Sequence, residues 1–142
     1  MDDISYMRKA LEQAQIAFEK DEVPIGAVIV CDNKIIARAH NLTETLNDVT
    51  AHAEMQAVTA AANYLGGKYL NECTLYVTLE PCPMCAGALA WSQIKRIVYG
   101  APDAKRGCGR FNGIHHPKTV VEGGVMADEC GTLIKDFFSK KR

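Results

Sequence analysis

The stretch "TLYVTLEPCPMCAGALAWSQIKRIVYGA", residues 74–101, governs the reading of the whole chain. "TLYVTL" is a β-branched, aromatic and leucine run of strand length, Pro83 to Trp91 is a compact apolar helix with proline at its start, and "RIVYGA" is a second strand. Strand, helix and strand in succession call for parallel pairing through a right-handed crossover, with the helix lying over one face of a sheet. Two thiols, Cys82 and Cys85, stand three positions apart at the turn from strand to helix. They could form a redox dithiol, half of a structural zinc knuckle, or part of a working metal site.

Upstream, "IGAVIV" (25–30) and "KIIARA" (34–39) are β-branched runs separated by Cys31, Asp32 and Asn33, which suit a tight hairpin turn. An Ala-rich segment from Val49 to Tyr64 reads as helix, closed by Gly66-Gly67. Over residues 2–20, Ile4, Met7, Leu11, Ala14 and Phe18 recur at intervals of three and four, one apolar face of a helix. Downstream, "TVVEG" is a short strand and residues 126–138 a last helix. The expected fold is α/β: a three-layer sandwich of a mixed five-stranded sheet flanked by helices, in a single domain over residues 1–142.

Composition narrows the setting. A chain of 142 residues, 48% hydrophobic and 23% charged, can bury a core of its own. "MDDISYMRKA" offers no apolar leader, and no run approaches the roughly 18 apolar residues of a membrane span, so a cytoplasmic protein with no membrane partner is expected. Six cysteines are then read as reduced thiols rather than three disulfides. The net charge of −1 conceals an asymmetry: residues 1–90 carry six Lys and Arg against twelve Asp and Glu, whereas residues 91–142 carry ten against five. "DAKRGCGR" and the terminal "KKR" (Lys105, Arg106, Arg110, Lys140, Lys141, Arg142) could meet a polyanion, or simply be a solvated loop and helix end.

The ligand count separates the three readings of the thiol pair. A redox dithiol needs no histidine, and a structural zinc needs four protein ligands, commonly from two such pairs. Cys31, Cys73, Cys108 and Cys130 form no second pair in sequence and read as small buried hydrophobes. His52, inside "TAHAEMQA", starts the Ala-rich helix as the thiol pair starts the next one, and two helix starts can lie side by side at one end of a sheet. One His and two Cys leave one position for water, the coordination of a catalytic zinc. Glu54, in the same first turn as His52, is then placed for proton transfer, although a first-turn glutamate often only complements the helix dipole.

"HAE" followed by "EPCPMC" resembles the H-x-E…P-C-x-x-C signature of the zinc-dependent nucleoside and nucleobase deaminases of the cytidine deaminase-like fold. "EVPIGAVIV", "TAHAEMQA", "TLYVTLEPCPMCAGA", "RIVYGAPDAK" and "ADECGTLIKDFF" extend the likeness, from Glu22 to Phe138, to the tRNA-specific adenosine deaminase branch. That resemblance implies hydrolytic conversion of a wobble adenosine to inosine, one zinc ion per chain held by His52, Cys82 and Cys85, and Glu54 as the proton shuttle. It implies that Asn41 and the backbone of Ala53 hold the target nucleoside, that Asp103 and Lys105 meet flanking nucleotides, and that the partners are a tRNA anticodon stem-loop and a second copy of the chain. Asn41 could equally cap the turn after its strand. Between Gly107 and Thr119 the sequence is shorter than the family pattern, and no contact is carried over there. Of Phe137 and Phe138, one is expected in the core and the other at the surface. A guanine or cytosine deaminase acting on a free base would share the zinc site; a non-catalytic zinc-stapled binding module would need a fourth protein ligand.

Overall fold

The computed structural model describes residues 1–141; Arg142, counted above in the basic tail, lies outside the described residues. Four helices and five strands alternate along the chain: α1 (Asp3–Glu19), β1 (Gly26–Cys31), β2 (Lys34–His40), α2 (Ala53–Leu65), β3 (Cys73–Leu79), α3 (Pro83–Ser92), β4 (Arg96–Ala101), β5 (Val120–Glu122) and α4 (Ala127–Lys140). The strands form one mixed sheet in the order β2-β1-β3-β4-β5. β1 runs antiparallel to both β2 and β3, while β3, β4 and β5 are mutually parallel.

The β1–β2 hairpin closes through a two-residue loop, Asp32 and Asn33, both at positive φ (53° and 61°). This backbone matches the right-handed twist of the flanking strands and is one that Asp and Asn tolerate. β3–α3–β4 is the expected parallel crossover. β2 and β3 also point the same way but are not neighbours, because β1 lies between them. Both α2 and α3 therefore leave the sheet beyond the carboxyl ends of codirectional strands, which brings their amino termini to one end of the molecule.

Alternation along the strands feeds two cores. Ala27 and Ile29 of β1 pack with Leu75 and Val77 of β3 under α2 and α3, joined by Ala53, Ala57, Ala61 and Leu89. Val28 and Val30 face the other way, with Tyr76 and Val98, against Tyr6, Met7 and Ala10 of α1 and Cys130 of α4. The expected α/β/α layering is thus present. Small residues let the layers approach: a Cβ on Gly26 would run into the α1 backbone at Ala10 and Ala14, and one on Gly100 would come within 2.5 Å of the Cys130 sulfur.

Two expectations shift. α2 begins at Ala53 rather than Val49, because the preceding residues are held as a loop: Asp48 Oδ1 accepts from the Thr50 backbone N–H (2.8 Å) and hydroxyl (2.7 Å). Cys31 and Cys73 are not isolated, since they are directly paired across β1 and β3. Burial, followed by the hydrogen bond with Cys31, pushes the Cys73 thiol up to about 12. Sequence alone could not show this pairing, because it depends on the register of strands more than forty residues apart.

A polar network ties α1 to the sheet. Asp3 Oδ1 accepts from Arg96 Nη1 (2.8 Å) and the Tyr76 hydroxyl (2.7 Å), Asp3 Oδ2 accepts from Arg96 Nη2 (2.7 Å), and Arg96 Nε donates to Glu122 on β5 (2.9 Å). The hydrogen bonds from Arg96, and then that from Tyr76, hold the Asp3 carboxyl below its usual range against the opposing effect of burial. Replacing Asp3 by Asn should lower unfolding stability by about 1 kcal/mol near neutral pH, a bidentate pair discounted for its partial exposure. Because the native pKa is depressed, the stabilisation is present above the unfolded value of about 4 and is lost as pH falls through the native one. Urea unfolding of both proteins across that range should show the gap closing only at acid pH.

Candidate metal centre and its cavity

His52 and Cys82 are the N-cap residues of α2 and α3, each in extended backbone (φ −70°, ψ 157° and φ −73°, ψ 167°), and neither side chain caps its own helix. An N-cap side chain ordinarily accepts from its own first turn. Here both turn towards each other instead. Pro83 occupies the first position of α3, where its missing N–H costs nothing, and Cys85 follows within the first turn.

Cys82 Sγ lies 3.6 Å and Cys85 Sγ 3.5 Å from His52 Nδ1, and the three ligand atoms all fall within 4.8 Å of one another. Tetrahedral bonds of about 2.3 Å to sulfur and about 2.0–2.1 Å to nitrogen place S and N ligands roughly 3.5 Å apart, and both S–N separations match an ion such as zinc. These three residues can hold a metal.

The titration behaviour of the bare site follows from its geometry. A hydrogen bond with Cys85, and then one with His52, hold the Cys82 thiol down at about 4, in opposition to burial. The same hydrogen bond, with burial and the Glu54 carboxyl added, pushes Cys85 up. The hydrogen bond to Cys82 raises His52. Glu54, 4% exposed, is pushed up to about 7 chiefly by burial, with the neighbouring Cys82 charge adding to it. A carboxyl poised near neutrality can both take and give a proton.

His52, Glu54 and Cys82 open into a cavity of about 770 Å³. Val23, Ile25, Leu79 and Ala101 supply apolar wall, and Asn41 and Thr43 a polar one. Asp103, Lys105, Arg106, Lys135 and Phe138 also line it. A cavity of this size accommodates a nucleoside-sized ligand.

The remaining sequence-predicted residues take definite positions. Asn41 is buried at the cavity wall, and its Oδ1 accepts from the Thr43 N–H (3.3 Å), the turn-capping contact weighed above. Ala53 is fully buried between His52 and Glu54. Asp103 Oδ1 accepts from the backbone N–H groups of Lys105 (3.1 Å) and Arg106 (3.0 Å), folding the turn that carries both cations. Phe137 enters the core and Phe138 stands half-exposed on the cavity side. Lys140 and Lys141 do not line the cavity. They sit at the end of α4 and just beyond it, over the rings of Phe18 and Phe137, and Lys141 pairs with Asp21 (2.6 Å).

Sequence reasoning missed two buried carboxylates, Glu22 and Glu80. Glu22 accepts from the Glu44 N–H (3.0 Å) and from the Thr45 N–H and hydroxyl (each 2.6 Å), fixing the loop that follows Asn41. Burial works to raise its pKa, but these donors together hold it below the ordinary value. Glu80 accepts from the Asp103 and Gly109 N–H groups. Only its place inside "EPCPMC" marked it. Cys108, read as a lone thiol, lies 3.5 Å from His115 Nε2.

The MafB19-like deaminase family profile matches residues 1–142. A tRNA-specific adenosine deaminase of Bacillus subtilis (strain 168) is 48% identical, with 96% of this chain aligned to 89% of that protein. A solved structure from a study of A-to-I editing by tRNA:A34 deaminases at the wobble position superposes with a TM-score of 0.85 at 43% identity, covering 91% of this chain and 98% of that one. A guanine deaminase structure from Bacillus subtilis is less similar, with a TM-score of 0.70 at 36% identity, covering 82% of this chain and 73% of that one. With a full-length profile match and a relative sharing nearly half its residues, the chain belongs to the MafB19-like deaminases and, within them, to the tRNA-specific adenosine deaminase family.

Proposed function

We propose that the chain converts the wobble adenosine of a tRNA anticodon to inosine by hydrolysis. The convergence of His52, Cys82, Cys85 and a buried Glu54 at the floor of a cavity whose lining includes Lys105, Arg106 and Lys135 carries this reading. It is supported by the identity shared with tRNA-specific adenosine deaminases over nearly the full chain. His52 Nδ1 and the Cys82 and Cys85 thiolates would hold one zinc ion per chain, which when bound lowers the pKa of a water towards neutrality. Glu54 would move the protons, taking one from the attacking water and giving one to the departing amino group. In the overall hydrolysis a water oxygen replaces nitrogen on the ring carbon, the carbon–nitrogen bond breaks, and ammonia leaves. Asn41 and the Ala53 backbone orient the nucleoside, and Asp103 and Lys105 meet its neighbours. A stacked base cannot reach the floor of such a site, so the adenosine must be splayed out of its loop.

The working setting is the cytoplasm, with tRNA as partner and no membrane; no described helix is long and apolar enough to cross one. Residues 1–142 act as one domain, a reading supported by a single continuous sheet. The second partner is another copy of the chain. On α3, Met84 (38% exposed) and Trp91 (85% exposed) stand two turns apart on one face. This apolar pair on one helix face supports a docking surface there. Light scattering at micromolar concentration should give twice the 15.5 kDa chain mass, and Trp91→Glu should reduce it to one chain; a monomeric unaltered protein would remove the dimer.

Elemental analysis should find one zinc per chain, lost together with activity in Cys82→Ser. Glu54→Ala should keep zinc and RNA binding while turnover falls by roughly two to four orders of magnitude. Offered an adenine-bearing anticodon stem-loop, free guanine and free cytosine in parallel, the protein should release ammonia only from the stem-loop. Its affinity should fall steeply with salt, and Lys105→Ala should flatten the log–log salt slope by about one unit or less. Rapid turnover of a free base with an inert stem-loop would replace this reading with a small-base deaminase.

A further inference from the structure

Glu80 occupies the step between Leu79, the last residue of β3, and the Pro81-Cys82 turn, and it is only 8% exposed. A carboxylate so placed needs partners, and among the described residues no Lys, Arg or His pairs with it. It is satisfied by backbone instead. Oε1 accepts from the Asp103 N–H (2.9 Å) and Oε2 from the Gly109 N–H (2.7 Å), with the Cys108 sulfur 4.0 Å from Oε2. Two glycines make the room: a Cβ on Gly107 would strike the Glu80 carboxylate and the Asp103 carbonyl, and one on Gly109 would lie 2.7 Å from Oε2. The Cys108 N–H donating to the Pro81 carbonyl (2.8 Å) closes the same loop against the turn that bears Cys82.

The relay continues outward. The residue whose N–H Glu80 holds, Asp103, uses its own carboxylate to hold the backbone of Lys105 and Arg106, two cations lining the cavity. We propose that Glu80 is a positioning residue for substrate: by clamping both ends of the 103–109 loop it sets Lys105 and Arg106 at the cavity mouth to grip phosphates beside the target nucleoside. The Glu80 carboxylate bonds to the 103–109 loop and to none of His52, Cys82 or Cys85, so the clamp serves binding rather than the chemical step. The substrate half of this proposal rests on the anticodon reading above.

Two variants test it without relying on either alone. Glu80→Gln keeps the shape but sets an NH2 group against one of the two N–H donors; Gly109→Ala leaves the carboxylate intact and displaces it. Both should speed hydrogen exchange of the Asp103 and Gly109 amides. Both should raise the stem-loop KM about tenfold, the scale of one lost hydrogen bond to a charged group, with kcat nearly unchanged and zinc retained. Combined with Lys105→Ala, Glu80→Gln should raise KM by less than the product of the single effects, since part of the Glu80 effect acts through Lys105. Unchanged exchange and KM, or a fall in kcat matching that in kcat/KM with loss of zinc, would overturn the clamp. An inert stem-loop in the unaltered protein would strike the substrate reading, and the amide exchange would still decide the clamp.

Discussion

The architecture turns on two helix amino termini meeting at one end of the sheet. α2 and α3 start beyond the carboxyl ends of codirectional strands, and each places a residue that can ligate a metal at its N-cap with no capping bond of its own. Free N–H groups and the positive end of the α3 dipole lie beside Cys82 and favour its thiolate. The depressed Cys82 pKa adds the hydrogen bonds of Cys85 and His52 to that setting. Glu54, one residue into α2, is carried by the same turn into a dry environment that raises its pKa to about 7. The candidate ligands and the buried carboxyl thus share one structural cause.

Around that centre the walls are loops, and loops need partners of their own. Two buried glutamates supply them from opposite sides: Glu22 binds the backbone of the 44–45 turn, and Glu80 binds that of 103 and 109. A buried carboxylate satisfied by backbone N–H groups fixes loop geometry without needing a specific partner side chain. This frees surface residues such as Lys105 and Arg106 to differ in chemistry while their backbone stays in place. The cations of the carboxy-terminal half are divided among several places. Lys105, Arg106 and Lys135 line the cavity, whereas Lys140 and Lys141 are spent on the aromatic and acidic surface beside the end of α1.

Much of this was legible in the sequence, for reasons that differ by element. The hairpin, the parallel crossover and α3 were readable because strand length, β-branching, a short polar turn and a proline at helix position one are local signals. His52, Cys82, Cys85 and Glu54 were readable because their residue types and spacing match a known deaminase signature, and the structure brings all four together. The start of α2 was misplaced because the Asp48–Thr50 bonds and the Glu22 clamp, which hold residues 43–51 as a loop, come partly from across the chain.

By itself, then, the sequence determined which elements form and that the sheet is mixed, from patterns a few residues long, and which side chains could hold an ion, from a signature of residue types at fixed spacing. Tertiary structure alone decided that β1 lies between β2 and β3, that Cys31 faces Cys73, that Glu80 reaches Asp103 and Gly109, and that the terminal lysines turn away from the cavity. Each of these is a contact between segments far apart in the chain. Its energy appears only when packing removes water from both sides, and no local pattern of residue types records that.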